Sequence, residues 1–442
     1  MYKTTKIILH SNNTQVDISI LRNICYHAAR LYNCGLYNVR QHFFNTNSYL
    51  SFNSNYHLTN SNEHYQILLS DSAQQILRLV DRDMQSFFKL LTLKKSGKYS
   101  ENIKLPHYKK QNDLMICPIQ GRSCRIQKDG KIAIGLTKEF RELYNISERR
   151  FLLTIPKNIK HIKQFQEMRI IPQFDGKQFT IEFIYQDTNQ PKQASGDGFM
   201  SIDLGVSNLA TCTVFSNNNA QQFIIDGRWI KNVNYYYNKQ ISKLKNEYSK
   251  QKLVNVTTTK RMMRLINGRN NRINDYFNKT CKYLIDVCLD HGISTIVIGY
   301  NKYQKQGINI GRVNNQNMIY IPHHKLRQKL EYLCNLHGIK YCPQEESYTS
   351  KASSIDCDSI PVYSDNDETK YVFSGKRIHR GLYQSNDGTT LNADVNGSIN
   401  ILRKYFKERM WNWLYQDQVR ALVNVPCQRV NSLSQAPSLM KG

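Results

Sequence analysis

Paired cysteines, long apolar runs and acid are what this chain has little of. Its 11 cysteines, an odd number, are scattered and include no C-x-x-C pair. That excludes the framework of a secreted disulfide domain and fits a reducing interior. No stretch approaches the roughly 20 apolar residues that span a bilayer, so no membrane partner is expected. The opening "MYKTTKIILHSNN" has a short apolar core that turns polar at once, unlike a cleavable signal. A cytoplasmic location is expected, nucleoid-associated if the host is prokaryotic. Asp and Glu total 34 against 61 Lys and Arg, a net charge of +27. Such an excess favours polyanions, because neutralised phosphates release counterions. With 442 residues, 40% of them hydrophobic, the chain can bury two or three cores.

Residues 2–9, "YKTTKIIL", read as a strand. From Asp17, Leu21, Cys25, Ala28, Tyr32 and Val39 repeat near every 3.6 residues and predict a helix. The polar stretch 45–62 reads as a loop. Ile76, Val80, Met84, Phe87 and Leu91 predict a second helix, with Ser70 or Asp71 of "SDSAQQ" as its N-cap. Asp129-Gly130 and Asp175-Gly176 each lie between alternating runs, the signature of hairpins. With "RFLLTIP" they predict a small antiparallel sheet or barrel, interrupted in sequence by the helical insert. The polar linker 186–198 marks a boundary.

Beyond it, "FMSIDLGVSNLATCTVF" reads as strand, glycine turn and strand. Residues 229–290 read as long helices rich in Lys243, Lys245, Lys260, Arg261, Arg264, Arg269 and Arg272, a solvated face or a set of phosphate contacts. "STIVIG", the helix 322–338, "IKYCPQEES" and the helical "NADVNGSINILRKYF" complete an α/β layer. The last residues, from about 430, read as frayed.

Three acidic positions stand at element ends. Asp203 ends an apolar strand, where a carboxylate is unfavourable unless paired, or caps a turn. Asp394 opens the last of these helices and suits an N-cap as well as a ligand. Glu345 and Glu346 follow the strand "IKYCPQ"; strand alternation lets one of the two face a shared site, and which one stays open. Carboxylates converging from separate elements could hold two divalent cations about 4 Å apart for in-line attack on a phosphodiester. "GINIGR" lacks a Walker or dinucleotide pattern, no Ser or Cys nucleophile has a recognisable setting, and His323-His324 read as surface residues at a helix start.

In this order, "IDLGVSNLAT", "IVIGYNK", "YIPHHKLRQKLEYLCNLHGIK", "EESYTSKAS", "FSGKRIHRGLY" and "NADVNGSINILRK" resemble TnpB, the transposon-encoded OrfB proteins ancestral to type V CRISPR effectors. The resemblance runs over essentially the whole chain. It implies an α+β multidomain fold: a wedge β-barrel (1–14 and 111–190) holding a helical recognition insert (15–110), then a RuvC-like nuclease of RNase H type (195–345 and 386–428). Between the nuclease parts would lie a degenerate zinc-ribbon-like insert (346–385), with a flexible tail at 429–442. It further implies magnesium, a transposon-derived guide RNA, and double-stranded DNA cut beside a short adjacent motif, with base pairing reading the sequence. Asp203, Asp394 and one of Glu345 and Glu346 would be the catalytic metal ligands.

Two departures from that family pattern stand out. Most relatives carry the middle glutamate at the end of the strand that here reads "IVIGYN", where Gly299, Tyr300 and Asn301 offer no carboxylate. The doublet on the next strand is read as a relocated ligand. The ribbon's two C-x-x-C pairs are reduced to Cys357, with His379 nearby; a structural zinc needs about four ligands, so zinc is not expected. A hydrogen-bonded remnant is expected instead, with Lys376, Arg377 and Arg380 of "GKRIHRG" toward nucleic acid and "DCDSIP" and "SDNDE" as turns. The rival readings are an RNA-guided DNA binder that has lost cleavage, and a transposase or transposase accessory protein.

Overall fold

The computed structural model describes residues 2–10, 18–162, 164–187, 191–216, 219–252, 258–301, 320–363, 369–379, 381–430 and 433. Asp17, Arg380, "GINIGR" and "SDNDE" lie outside them, as do nearly all residues beyond 430. The chain is a mixed α+β structure of two units, Met1–Asn189 and Gln190–Gly442.

In the first unit, β1 (Tyr2–His10) is followed by α1 (Ile18–Thr46), α2 (Phe52–Thr59), α3 (Glu63–Ile67) and α4 (Ser70–Lys95). Then come β2 (Cys117–Gln120), β3 (Cys124–Ile126), β4 (Lys131–Gly135), α5 (Lys138–Tyr144), β5 (Arg150–Thr154), β6 (Glu167–Gln173) and β7 (Gln178–Gln186). The strands form two sheets, ordered β1-β7-β6-β2 and β3-β4-β5, and β1 pairs antiparallel with β7 along its whole length. The four helices α1–α4 are thus inserted between two strands of one sheet. Leu21, Cys25, Ala28, Tyr32 and Val39 of α1 are buried against Ile76, Val80 and Met84 of α4, as their spacing predicts. At the β6–β7 turn, Phe174, Asp175 and Gly176 have φ of 50°, 56° and 76°, the left-handed turn that Asp-Gly favours.

Two expectations fail here. The polar stretch 45–62 contains α2, because Ser51 caps it and Asn55 and Thr59 are buried through hydrogen bonds to Asn38 and Gly35 O rather than by apolar contact. The N-cap position of α4 is Leu69, with no side-chain cap; Asp71 is drawn instead to Arg122 and to Ser123 Oγ.

The second unit runs β8 (Gly198–Asp203), β9 (Asn208–Ser216), β10 (Asn219–Asp226), α6 (Arg228–Lys250), α7 (Lys260–Asp290), β11 (Ile293–Gly299), α8 (His323–Leu336) and β12 (Lys340–Gln344). It continues with β13 (Lys376–His379), β14 (Leu382–Gln384), β15 (Thr390–Asn392), α9 (Ala393–Tyr405), α10 (Glu408–Val423) and β16 (Gln428–Val430). Its main sheet is ordered β12-β11-β8-β9-β10-β16, with β8, β11 and β12 parallel and β9 antiparallel to both neighbours. The strand β16 pairs parallel with β10 and buries Val430, so Arg429 and Val430 belong to the sheet rather than to a tail.

Alternation splits the sheet's two faces. Met200, Ile202, Ile296 and Ile298 pack with Phe277, Cys281 and Leu330 of α7 and α8. Phe215 and Val297 pack with Val395, Ile399 and Trp411 of α9 and α10 on the other face. Asp203 and Gly299 share the parity of Ser201 and Val297, so both face α9.

That helix also carries a buried polar stripe. Asn396 donates to Ala352 O and accepts from Ser354 N; Asn400 donates to Thr349 O and Ala352 O. Arg403, with no exposed surface, donates to Ser353 O, Asp358 O and Asn400 Oδ1. The stripe grips the backbone that follows β12. Buried carbonyls stripped of donors cost about 1–3 kcal/mol each. Arg403→Leu should therefore lower the unfolding free energy by about 3 kcal/mol or more, read by urea titration. A loss below about 1 kcal/mol would mean that the stripe does not fix this segment.

Candidate functional site

Three parallel strands end level with one another. Ile298 pairs with Ile202 and Gly299 with Gln344, so Asp203, Gly299 and Gln344 stand side by side at the carboxyl edge of the sheet. Tyr300 N donates to Gln344 O, after which the chain turns: Thr349 N and Oγ1 both donate to Glu346 O.

The glutamate doublet is separated by its partners. Glu345 leaves for α9, where Lys404 Nζ lies 2.5 Å from its Oε2 and Ser347 N donates to Oε1 at 2.6 Å. Lys404, only 4% exposed, also donates to Ser347 O and Pro361 O. Burial alone would raise the Glu345 carboxyl, but Lys404 and the Ser347 amide hold it below the usual carboxylate range. Glu346 turns the other way, over Gly299. A Cβ added to Gly299 would lie 2.1 Å from Glu346 Oε2, so this carboxylate fills the space that any side chain at 299 would need. Burial pushes Glu346 up to about 7, with Arg327 opposing and Glu345 adding to the rise.

Asp203 meets α9 at Gly397, where an added Cβ would lie 2.9 Å from Oδ2. Beneath it the hydroxyls of Ser201, Thr213 and Ser398 bond to one another at 2.5–3.1 Å, fastening α9 to the sheet. Burial raises the Asp203 carboxyl well above its ordinary value; Glu346 and then Asp394 add to this, and Arg377 offsets it. Asp394 is not the cap of α9. Asn392 takes that role, accepting from Asp394 N and Val395 N, which leaves the aspartate side chain for other partners. Those are Asn208 Nδ2 at 2.7 Å and the Arg377 guanidinium at 3.1 Å.

The carboxylates of Asp203 and Asp394 open on a cleft of about 600 Å³, lined also by Gly205, Ser207, Arg377 and Arg429. Among the described residues, no three His, Cys, Asp or Glu side chains are gathered tightly enough to hold a metal ion as they stand. Arg377 is the cation that touches Asp394 here. His323 is not a surface residue: it is buried, with Nε2 3.0 Å from Gly205 O, where it braces the loop after Asp203.

Of the basic residues singled out in the sequence, Lys243, Lys245, Lys260, Arg261, Arg264, Arg272 and Lys376 are exposed, with Arg261 within 3.8 Å of Glu247. Arg269 is half-buried and committed to Asn234 Oδ1 and Tyr320 O, a strut between helices rather than a free phosphate contact. Around Cys357 the acceptors are Asp356 and Asp358: they take Ser374, Asn386 N and Ser353 N, and so tie the turn 353–358 to 374 and 386. Residues that the sequence reading missed are Gly299 as the seat of Glu346, Gly397 and Asn392. The Asn-x-Asp order was legible as a cap signal; the glycine contacts were not.

Two family models match this chain. A probable transposase model, OrfB_IS605, covers residues 182–304, and a Cas12f1-like TNB domain model covers 323–401. The first includes Asp203 and Gly299; the second includes the glutamate doublet and Asp394. A curated relative, the TnpB-like protein ORF457 of Acidianus two-tailed virus, is 22% identical over 432 residues, 87% of this chain and 83% of its own. Among solved structures, a Cas12f1–sgRNA–target DNA complex aligns with TM-score 0.48 at 14% identity over 86% of this chain and 82% of that one. An AacC2c1–sgRNA–extended non-target DNA complex aligns with TM-score 0.40 at 8% identity over 84% and 62%.

The doublet makes a pH prediction with two signs, read in a chelator so that no divalent cation contributes. Glu346 keeps its proton up to about 7 when folded but releases it near 4.5 when unfolded, so stability falls as pH rises between those values. Glu346→Gln should therefore melt higher than the parent at pH 8, with the gain vanishing toward pH 4.5. Glu345 has the opposite shift, so its contribution is present above its unfolded pKa and is lost as pH falls. Glu345→Gln should melt lower at pH 8, and less so in acid. Thermal melts that move the same way at pH 8 would contradict this assignment of the pair.

Proposed function

We propose that this chain, a TnpB-type protein by its family-model matches and its TnpB-like relative, is an RNA-guided DNA endonuclease that hydrolyses phosphodiesters at the edge formed by β8, β11 and β12. The observation that carries the reading is the parting of the doublet. Glu346 lies over Gly299 in the electrostatic reach of Asp203, while Glu345 is spent on Lys404.

The donor set fits magnesium in kind. Three carboxylates, hard oxygen donors of the kind magnesium takes, stand on neighbouring elements of one edge; burial pushes Asp203 and Glu346 toward protonation and the Glu346 charge pushes Asp203 further, a strain that a divalent cation would relieve. Asp203, Glu346 and Asp394 would hold it; Glu345 would not. A bound divalent cation supplies activation of water and stabilisation of charge developing on the phosphate. The chain's own residues do the rest. Gly397 and the hydroxyl trio fix Asp203, Asn392 leaves Asp394 free of capping, and the α9 stripe holds the turn that carries Glu346. Arg377 and Arg429 place positive charge at the cleft mouth, where a phosphate would enter.

The sheet order, with a central first strand ending in Asp203, a following antiparallel pair and two parallel strands on the other side, supports an RNase H-like reading of the second unit. In the first unit, α1–α4 inserted between paired strands support the wedge and recognition-insert reading, with guide RNA and double-stranded target DNA as partners. A nuclease-inactive binder stays as the second reading, because among the described residues the carboxylates are not gathered into a metal-holding set.

Incubation of the RNA-bound protein with matched DNA and magnesium decides between them. Cleavage is expected, and Glu346→Ala should reduce it by about a thousand-fold or more while binding persists. Glu345→Ala, assayed below its melting temperature, should stay within about ten-fold of the parent. Intact DNA at saturating occupancy would favour the binder. Sequencing of copurified RNA should return one discrete species abutting the protein's own gene.

A further inference from the structure

The outer face of α6 is unusual for a soluble helix. Trp229, Tyr235 and Tyr236 are 42%, 69% and 52% exposed within eight residues, on a helix whose inward side is already packed through Ile230, Val233 and Leu244. Exposed large rings in such density mark an interaction surface rather than stray hydrophobes. The exposed stripe runs from Asn232 through Tyr235 and Tyr236 to Lys239, Lys243, Asn246 and Lys250, at three- and four-residue steps, and carries no acid. Glu247, the helix's single carboxylate, turns aside to Arg261.

Trp229 is held ready. Its ring stacks on Tyr276 at 5.1 Å with an interplanar angle of 21°, and the Tyr276 hydroxyl donates to Asp226 O. One indole face is thus covered and oriented, and the remaining exposed surface is offered to solvent. The helix starts at the rim of the cleft: Gly227 N donates to Ser207 O, and Ser207 lines the cleft with Asp203. Arg429 bridges from Asn208 in the cleft to Asp226 beside the helix start.

We propose that this face of α6 is a track for unpaired DNA, with Trp229, Tyr235 and Tyr236 stacking successive bases and Lys239, Lys243 and Lys250 following the backbone. Rings give a sequence-tolerant grip because every base has a π-face, and the lysines add the salt-dependent term. Duplex DNA hides its base faces, so the track selects single strands. This deepens the nuclease reading, and rests on it only for the destination of the strand: the track delivers single-stranded DNA to the cleft where Asp203 and Asp394 stand.

The test is binding in a chelator, where no cleavage occurs. The RNA-bound full chain is titrated with a fluorescent oligothymidylate, with an abasic oligonucleotide of the same length, and with a duplex. The thymidylate should bind at least ten-fold tighter than either of the others, and Trp229→Ala/Tyr235→Ala/Tyr236→Ala should erase that margin. The rings are exposed, so the triple variant should keep the parent's melting temperature. Lys239→Gln/Lys243→Gln should instead weaken all three ligands and flatten the salt dependence. Equal affinity for thymidylate and abasic strands in the parent, or an undiminished margin in the triple variant, would overturn the track. So would protection of the rings by the bound RNA, or a dimer that the triple variant dissolves. Because the readout needs no cleavage, a failed nuclease with an intact margin removes the enzyme and leaves the track. Cleavage without a margin does the reverse.

Discussion

Everything in the second unit's site depends on one buried polar contact: the grip of α9 on the backbone after β12. A helix packed only by apolar side chains can slide or rotate against a sheet at modest cost. A helix that satisfies six backbone carbonyls through Asn396, Asn400, Arg403 and Lys404 cannot, because each carbonyl left behind loses its donor in a dry place. The same helix supplies Asp394 from its first turn, meets Asp203 through Gly397, and by holding residues 349–358 fixes the turn that carries Glu346. One rigid element thereby sets the positions of three acidic groups drawn from residues 203, 346 and 394.

That placement runs against electrostatics, which is why its neighbours matter. Burial raises the proton affinity of both Asp203 and Glu346, and the Glu346 charge raises that of Asp203 further. The chain spends its cations selectively. Lys404, almost fully buried, hydrogen-bonds Glu345 and Arg377 pairs with Asp394, while the charges of Arg327 and Lys404 oppose the rise of Glu346. In a protein of net charge +27, carboxyls that burial pushes toward protonation stand out.

How much of this was readable beforehand follows from which forces leave a one-dimensional trace. Apolar periodicity and Asp-Gly turns announce themselves, so α1, α4 and both hairpins stand where the pattern puts them. Polar burial leaves no such trace. The helix α2 hides in an Asn- and Ser-rich stretch because Asn55 and Thr59 are buried by hydrogen bonds, and His323 looks like a surface residue though it braces Gly205. Capping misled twice for a related reason. Asp71 and Asp394 both occupy plausible cap positions, and both carboxylates are taken by an arginine from a distant strand or turn. Local rules rank a residue's near partners and are silent about far ones. The parting of Glu345 from Glu346 is of that kind: Glu345 is drawn off by Lys404, about sixty residues onward, and not by strand alternation, since the strand has already ended at Gln344.

Gly299 and Glu346 share one space at the edge of the sheet. Register puts residue 299 beside Asp203 on one side and Gln344 on the other, so a side chain at 299 and one folding back from 346 compete for a single volume. With glycine at 299 the volume is open and Glu346 enters it. With any larger residue the Cβ would fall 2.1 Å from Oε2 and drive the glutamate out. A carboxylate restored at 299 while Glu346 remained would add both that clash and a fourth negative charge to a place where burial already raises two carboxyls. A side chain at 299 and the inward turn of Glu346 therefore exclude one another, and the glycine of "IVIGYN" is the space that the acid of "QEES" occupies.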